Sequence, residues 1–117
     1  MSPADEPRDP VGEPSRDQID AMREPTVIEF GAAYCGHCRA AQPLIAQALE
    51  RHPAARHIKV EDGPGRKLGR SFRVKLWPTL IFMIHGREIA RLVRPGDVQA
   101  IEQALNRIDT VATKGDS

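Results

Sequence analysis

Hydrophobic and polar positions change rhythm several times along the chain, and each rhythm predicts an element. Pro3, Pro7, Pro10 and Pro14 are interspersed with charges. That composition offers little to bury, so residues 1–14 read as a disordered tail. Ser15 suits a helix cap, and Ile19 and Met22 keep helical spacing to about Arg23, with Pro25 blocking easy continuation. Thr26-Val27-Ile28-Glu29-Phe30 is β-branched and apolar, the signature of a buried strand. Residues 39–51 are helix formers with Leu44, Ile45, Ala48 and Leu49 at helical spacing, and Pro43 predicts a kink. Residues 57–61 alternate as a strand does, Gly63-Pro64-Gly65 is a turn, and a short helix fits residues 66–72. The apolar run 79–84 suits a central strand covered on both faces. His85-Gly86-Arg87 turns the chain into an antiparallel strand over 88–93. Gly96-Asp97 opens a last helix with Val98, Ile101, Leu105 and Ile108 on one face, and residues 110–117 read as a flexible tail.

Alternating β and α units predict an α/β layered fold in which a final hairpin adds an antiparallel edge. One domain over residues 15–109 fits a length of 117 residues. Seventeen basic residues are offset by sixteen acidic ones, so no basic face calls for nucleic acid. No stretch approaches the roughly 20 apolar residues of a membrane span, and no apolar block marks a secretory signal near the N-terminus. The expected compartment is therefore the cytoplasm.

Only two cysteines are present, Cys35 and Cys38. Taken alone, a CxxC pair serves redox chemistry or metal binding, or arises by chance. One pair leaves a tetrahedral zinc site two cysteines short. This pair follows a buried strand and precedes a long helix, where unpaired N–H groups and the helix dipole favour a thiolate on Cys35. Cys38 lies one turn on, placed to resolve a mixed disulfide. Glu29 falls between Ile28 and Phe30, where an unpaired carboxylate is expensive. His52, His57 and His85 show no motif spacing and read as surface residues.

With these residues in view, the chain resembles the thioredoxin superfamily over residues 16–108. The matching stretches are Val27-Ile-Glu-Phe-Gly-Ala-Ala-Tyr-Cys-Gly-His-Cys38, Pro43, Trp77-Pro-Thr79 before an apolar strand, and Gly86-Arg-Glu88. The resemblance implies a thioredoxin-like fold, a central mixed sheet flanked by helices, shortened at its N-terminus. It implies a thiol–disulfide oxidoreductase acting on protein substrates. The redox group is its own Cys35–Cys38 disulfide, with no other cofactor and no metal. The protein is expected to be a monomer, recycled by a reductase or an oxidant. Cys35 is then the nucleophile and Cys38 the resolving thiol. Pro78 is the family's cis-proline facing the disulfide. Glu29 is the buried acid/base with a raised pKa, and Lys59 falls where its partner usually sits. Gly36 and His37 tune the redox couple, with His37 donating a hydrogen bond or charge toward Cys35. Tyr34, Trp77 and Thr79 line the substrate groove.

The chain also departs from the family pattern. Gly31 replaces the strand-end Trp, Tyr34 the Trp before the first Cys, Trp77 the small apolar residue before the proline, and Arg94 a groove glycine. The Gly-His centre is that of protein disulfide isomerases. Two other functions compete. One is metal handling through Cys35, Cys38 and His37. The other is a chaperone or assembly module whose cysteines are not turned over.

Overall fold

The structure, a computed structural model, describes residues 13–32 and 34–114, with side chains through residue 110. Eight elements follow in the order α1 (Arg16–Asp20), β1 (Thr26–Gly31), α2 (Gly36–Glu50), β2 (Arg56–Glu61), α3 (Lys67–Ser71), β3 (Thr79–Ile84), β4 (Arg87–Val93) and α4 (Val98–Lys114). The four strands form one sheet in the order β2-β1-β3-β4. β1 runs parallel to β2 and antiparallel to β3, and β3 is antiparallel to β4. Among the described residues this is the mixed α/β sheet flanked by helices that the sequence predicts.

Period-two alternation divides the core between the two faces of the sheet. Val27, Leu80, Phe82 and Ile84 pack with Ala41, Ile45 and Ala48 of α2 and Ile101, Leu105 and Ile108 of α4. Ile28, Phe30, Val60, Ile81 and Met83 pack on the other side with Ile19, Leu68 and Phe72. Every residue of β3 is buried, as its unbroken apolar run requires. α1 is fixed by a reciprocal capping box between Ser15 and Gln18. It is held to α3 by Arg16, whose guanidinium lies 3.7 Å from the Phe72 ring centroid and donates to the Ser71 carbonyl at 2.7 Å.

Several boundaries differ from the sequence expectation. α1 ends at Asp20 instead of about Arg23, because the chain turns at Ala21 to enter β1. Met22 nevertheless packs against the core. α2 begins at Gly36, not Arg39, since Cys35 itself caps it. α4 continues through Lys114 into the segment expected as a flexible tail. No glycine or proline interrupts residues 110–114, and Gly115 is the first breaker. At the other end, residues 1–12 of the expected N-terminal tail lie outside the described residues. Glu13 is buried, accepting from the Glu61 N–H at 2.7 Å and from Arg66 at 2.6 Å. The glycine of the hairpin turn has no substitute: Gly86 sits at φ +74°, and a Cβ there would lie 2.1 Å from the Asp20 carbonyl oxygen.

Candidate active site

Cys35 occupies the N-cap of α2 with extended backbone, and its Sγ accepts the Cys38 backbone N–H at 3.1 Å. A sulfur takes the place that a Ser or Asp oxygen usually fills, at the end of a helix where negative charge is favoured. Both cysteines are free thiols: Cys35 is partly exposed, whereas Cys38 is buried at 6% exposure. Burial, with the hydrogen bond to Cys35 next, pushes the Cys38 thiol up to about 11. Gly31 lets this thiol approach the end of β1, since a Cβ there would lie 2.9 Å from Cys38 Sγ.

Glu29 follows from the alternation of β1. Ile28 and Phe30 face α1 and α3, so Glu29 faces α2 with Val27. Its carboxylate, 3% exposed, accepts from Gln42 Nε2 of α2 and lies 2.8 Å from His57 Nε2 of β2. Gln42 Nε2 also reaches the Cys38 carbonyl at 3.2 Å, and Lys59 Nζ donates to Gln42 Oε1 at 3.3 Å. The expected raised pKa is corrected here. Burial does push Glu29 upward, but the hydrogen bonds from His57 and Gln42, with the charges of His57 and Lys59, overcome it and leave the pKa below its ordinary value. Lys59 stands opposite Glu29 in the parallel register, yet it is exposed and reaches the carboxylate only through Gln42.

The Trp77–Pro78 peptide is cis, and Pro78 is buried. Thr79 pairs with Phe30, so Pro78 and the loop carrying Cys35 leave the sheet at the same end. Trp77 is held from two sides: its Nε1 donates to Asp62 Oδ2 at 2.9 Å, and its carbonyl accepts Arg94 Nε at 2.8 Å. Arg94, at φ +51°, also donates its backbone N–H to the Pro78 carbonyl at 2.9 Å. That left-handed backbone is the conformation a glycine adopts without strain. Thr79 is buried, and its hydroxyl donates to the Leu76 carbonyl. Tyr34 is 93% exposed.

A Cβ added at Gly36 would point into open space, and Gly36 is exposed, as is His37. The hydrogen bond expected from His37 to Cys35 does not form: the Cys38 N–H meets that sulfur, and the imidazole stands in solvent. Two histidines read as surface residues are engaged. His57 belongs to the Glu29 network, and His52 is buried, 2.6 Å from Asp109, joining the end of α2 to α4. Gln42 and Asp62 also escaped sequence reasoning. The only signal for Gln42 was its place one turn after Cys38 on the helix.

A cavity of about 380 Å³ opens beside the resolving thiol, bordered by Glu13, Glu29, Gly31, Cys38, Gln42 and Lys59. A larger one, about 660 Å³, lies at the opposite end of the sheet among Met22, Pro25 and His85 and contains neither cysteine. The chemistry belongs to the smaller. Among the described residues, no group of three or more His, Cys, Asp or Glu side chains is arranged to hold a metal, and no helix is long and apolar enough to cross a membrane.

Residues 13–107 match the thioredoxin family model. The structure of thioredoxin 2 from Pseudomonas aeruginosa PAO1 in its reduced form is 55% identical, with a TM-score of 0.73 over 81% of this chain and 88% of that one. Thioredoxin-2 of Saccharomyces cerevisiae is 32% identical over 68% of this chain and 75% of its own length. Thioredoxin Asp f 28 of Aspergillus fumigatus is 27% identical over 72% and 78% respectively.

Proposed function

The chain belongs to the thioredoxin family, and from that membership we propose how its residues divide the work of disulfide exchange. It is a thiol–disulfide oxidoreductase whose redox group is its own cysteine pair. The family acts on protein disulfides and is recycled by a reductase. We read the direction of flux here as reduction of protein disulfides, in the cytoplasm, by a monomer. One copy of the chain carries both cysteines and Glu29, which suffices for the reaction.

Cys35 as thiolate attacks one sulfur of the substrate disulfide. A Cys35–S–S–substrate bond forms, and the first substrate sulfur leaves with the electron pair. Cys38 then loses its proton to Glu29 and attacks Cys35 Sγ. The Cys35–Cys38 disulfide forms, the mixed disulfide breaks, and the second substrate sulfur leaves as a thiolate. The substrate has gained two electrons and the cysteine pair has lost two.

A thiol near 11 facing a carboxylate with a lowered pKa is a poor proton donor, and the mixed disulfide eases this mismatch. Once Cys35 is bonded to substrate, its hydrogen bond and its charge no longer raise the Cys38 pKa. When Glu29 takes the proton, its own opposing charge disappears as well. Trp77 lies at the end of the sheet where the Cys35 loop leaves it, and a substrate strand aligned there would pair with its backbone. Arg94 covers the Trp77 carbonyl and would have to swing aside.

One observation carries the division of roles: Cys35 is partly exposed at the helix start while Cys38 is buried behind it. Limiting iodoacetamide on reduced protein, read by peptide mass mapping, should therefore label Cys35 first. A Cys38→Ser variant should accumulate a mixed disulfide with protein substrates. Preferential labelling of Cys38 would reverse the assignment.

A further inference from the structure

The acid/base role of Glu29 leaves open what keeps a carboxylate ionised where water scarcely reaches it. The sheet supplies the partner. β2 runs parallel beside β1 with Val27 opposite His57 and Glu29 opposite Lys59. Ile58 and Val60 pack toward α1 and α3, so His57 and Lys59 share the α2 face with Glu29. Lys59 is drawn off to Gln42 Oε1, which leaves His57 as the direct partner of Glu29 Oε1. Gln42 Nε2 takes Oε2, so each carboxylate oxygen meets one N–H donor. A carboxylate only accepts, which requires the proton on Nε2 of His57.

We propose that His57 is a positioning residue for the resolving step, holding the buried Glu29 carboxylate ionised and aimed at Cys38 from the neighbouring strand. This deepens the reading of Glu29 as the acid/base and rests on it. The groups facing Glu29 are Lys59 from β2 and Cys38 and Gln42 from α2. Glu13 and Glu61 border the same cavity, with Arg66 on Glu13. Three carboxylates thus crowd one cavity, and among the described residues only His57 and Lys59 bring groups able to carry positive charge toward Glu29. Without the His57 donor, burial acts on the carboxylate with less opposition, and its proton stays on to higher pH.

The test is the intramolecular release of thionitrobenzoate from the Cys35 mixed disulfide, followed by double-mixing stopped flow from pH 5 to 9. It is paired with a carbon-13 NMR titration of the Glu29 carboxyl. Wild type should show no Glu29 limb in this range. His57→Val keeps a strand-forming residue and should introduce an acidic limb. The Glu29 titration should rise into the lower part of this range, and release at pH 5 should fall about twofold or more relative to wild type. His57→Gln keeps an N–H donor without the charge, and it should fall between wild type and His57→Val. If His57→Val leaves both the release profile and the Glu29 titration unmoved, or if His57→Gln behaves as His57→Val does, His57 is not the positioning residue. Glu29→Gln separates the two levels. Slow release at every pH upholds the acid/base reading whatever His57 does, whereas unchanged release overturns that reading and the role of His57 with it.

Discussion

On one side of β1, Ile28 and Phe30 meet Ile19, Val60, Leu68 and Phe72, and the space is filled by carbon. On the other, one residue along the same strand, Glu29 meets Gln42 and His57 beside Cys38. Both faces are buried at this end, yet they are stabilised differently. The apolar face needs only shape and area, so its contribution scales with the surface removed from water. The polar face needs every donor and acceptor matched, because an unmatched buried carboxylate costs more than an apolar contact returns. The fold therefore spends its tolerance for polarity on the side from which α2 presents the cysteines.

If the division holds, damage on the apolar face should appear as lost stability with the chemistry intact. Phe30 is fully buried, its ring centroid 5.7 Å from that of Phe72. Phe30→Ala should cost about 3–5 kcal/mol of unfolding free energy in urea. Under conditions where the variant stays folded, its thiol-exchange rate should remain within about threefold of wild type. A large loss of rate without loss of stability would show that the two faces are coupled through the strand.

Much of this architecture was legible in one dimension. Strand and helix periods, the cap at Ser15, and the CxxC beside a buried strand all speak through neighbours in sequence. What stayed hidden is set by register. His57 lies 28 residues from Glu29, and its alternation on β2 says which side chains share a face but not which strand lies alongside, or at what offset. The sign of the Glu29 shift was missed for the same reason. Burial was readable from Ile28 and Phe30, whereas the donors that outweigh it arrive from β2 and α2. Trp77 shows the same limit: its position before Pro78 marked it, but the Asp62 and Arg94 that hold it come from the end of β2 and from the segment after β4.

The buried thiol gives a smaller effect, confined to the polar face. Folding raises Cys38 from the ordinary thiol value of 9.0 to about 11, so between these values the folded state binds more protons than the unfolded one. That stabilisation is fully present below pH 9 and is lost as pH rises through about 11. A window of about two pH units corresponds to about 2–3 kcal/mol. Denaturant titrations of the reduced protein at pH 8 and pH 11, set against Cys38→Ala, should show wild type losing that much more. Equal losses would place Cys38 in a wetter site than its 6% exposure indicates.

The smallest effect tests where the polar face ends. His37 sits between the cysteines in sequence but is exposed, and the sulfur it was expected to serve takes the Cys38 N–H instead. Any influence on the couple must act through its charge across solvent, where salt screens it. A contact that stabilises the thiolate form raises the reduction potential, so His37→Pro should become more reducing. With the hydrogen bond absent, the change should stay below about 30 mV in a glutathione redox titration, and added salt should shrink it further. Coincident midpoints would confine redox tuning to the helix N-terminus and the Glu29 network. A change well beyond that size, insensitive to salt, would mean that His37 folds back onto Cys35 in solution, and the polar face would then extend over the top of the helix to both sulfurs.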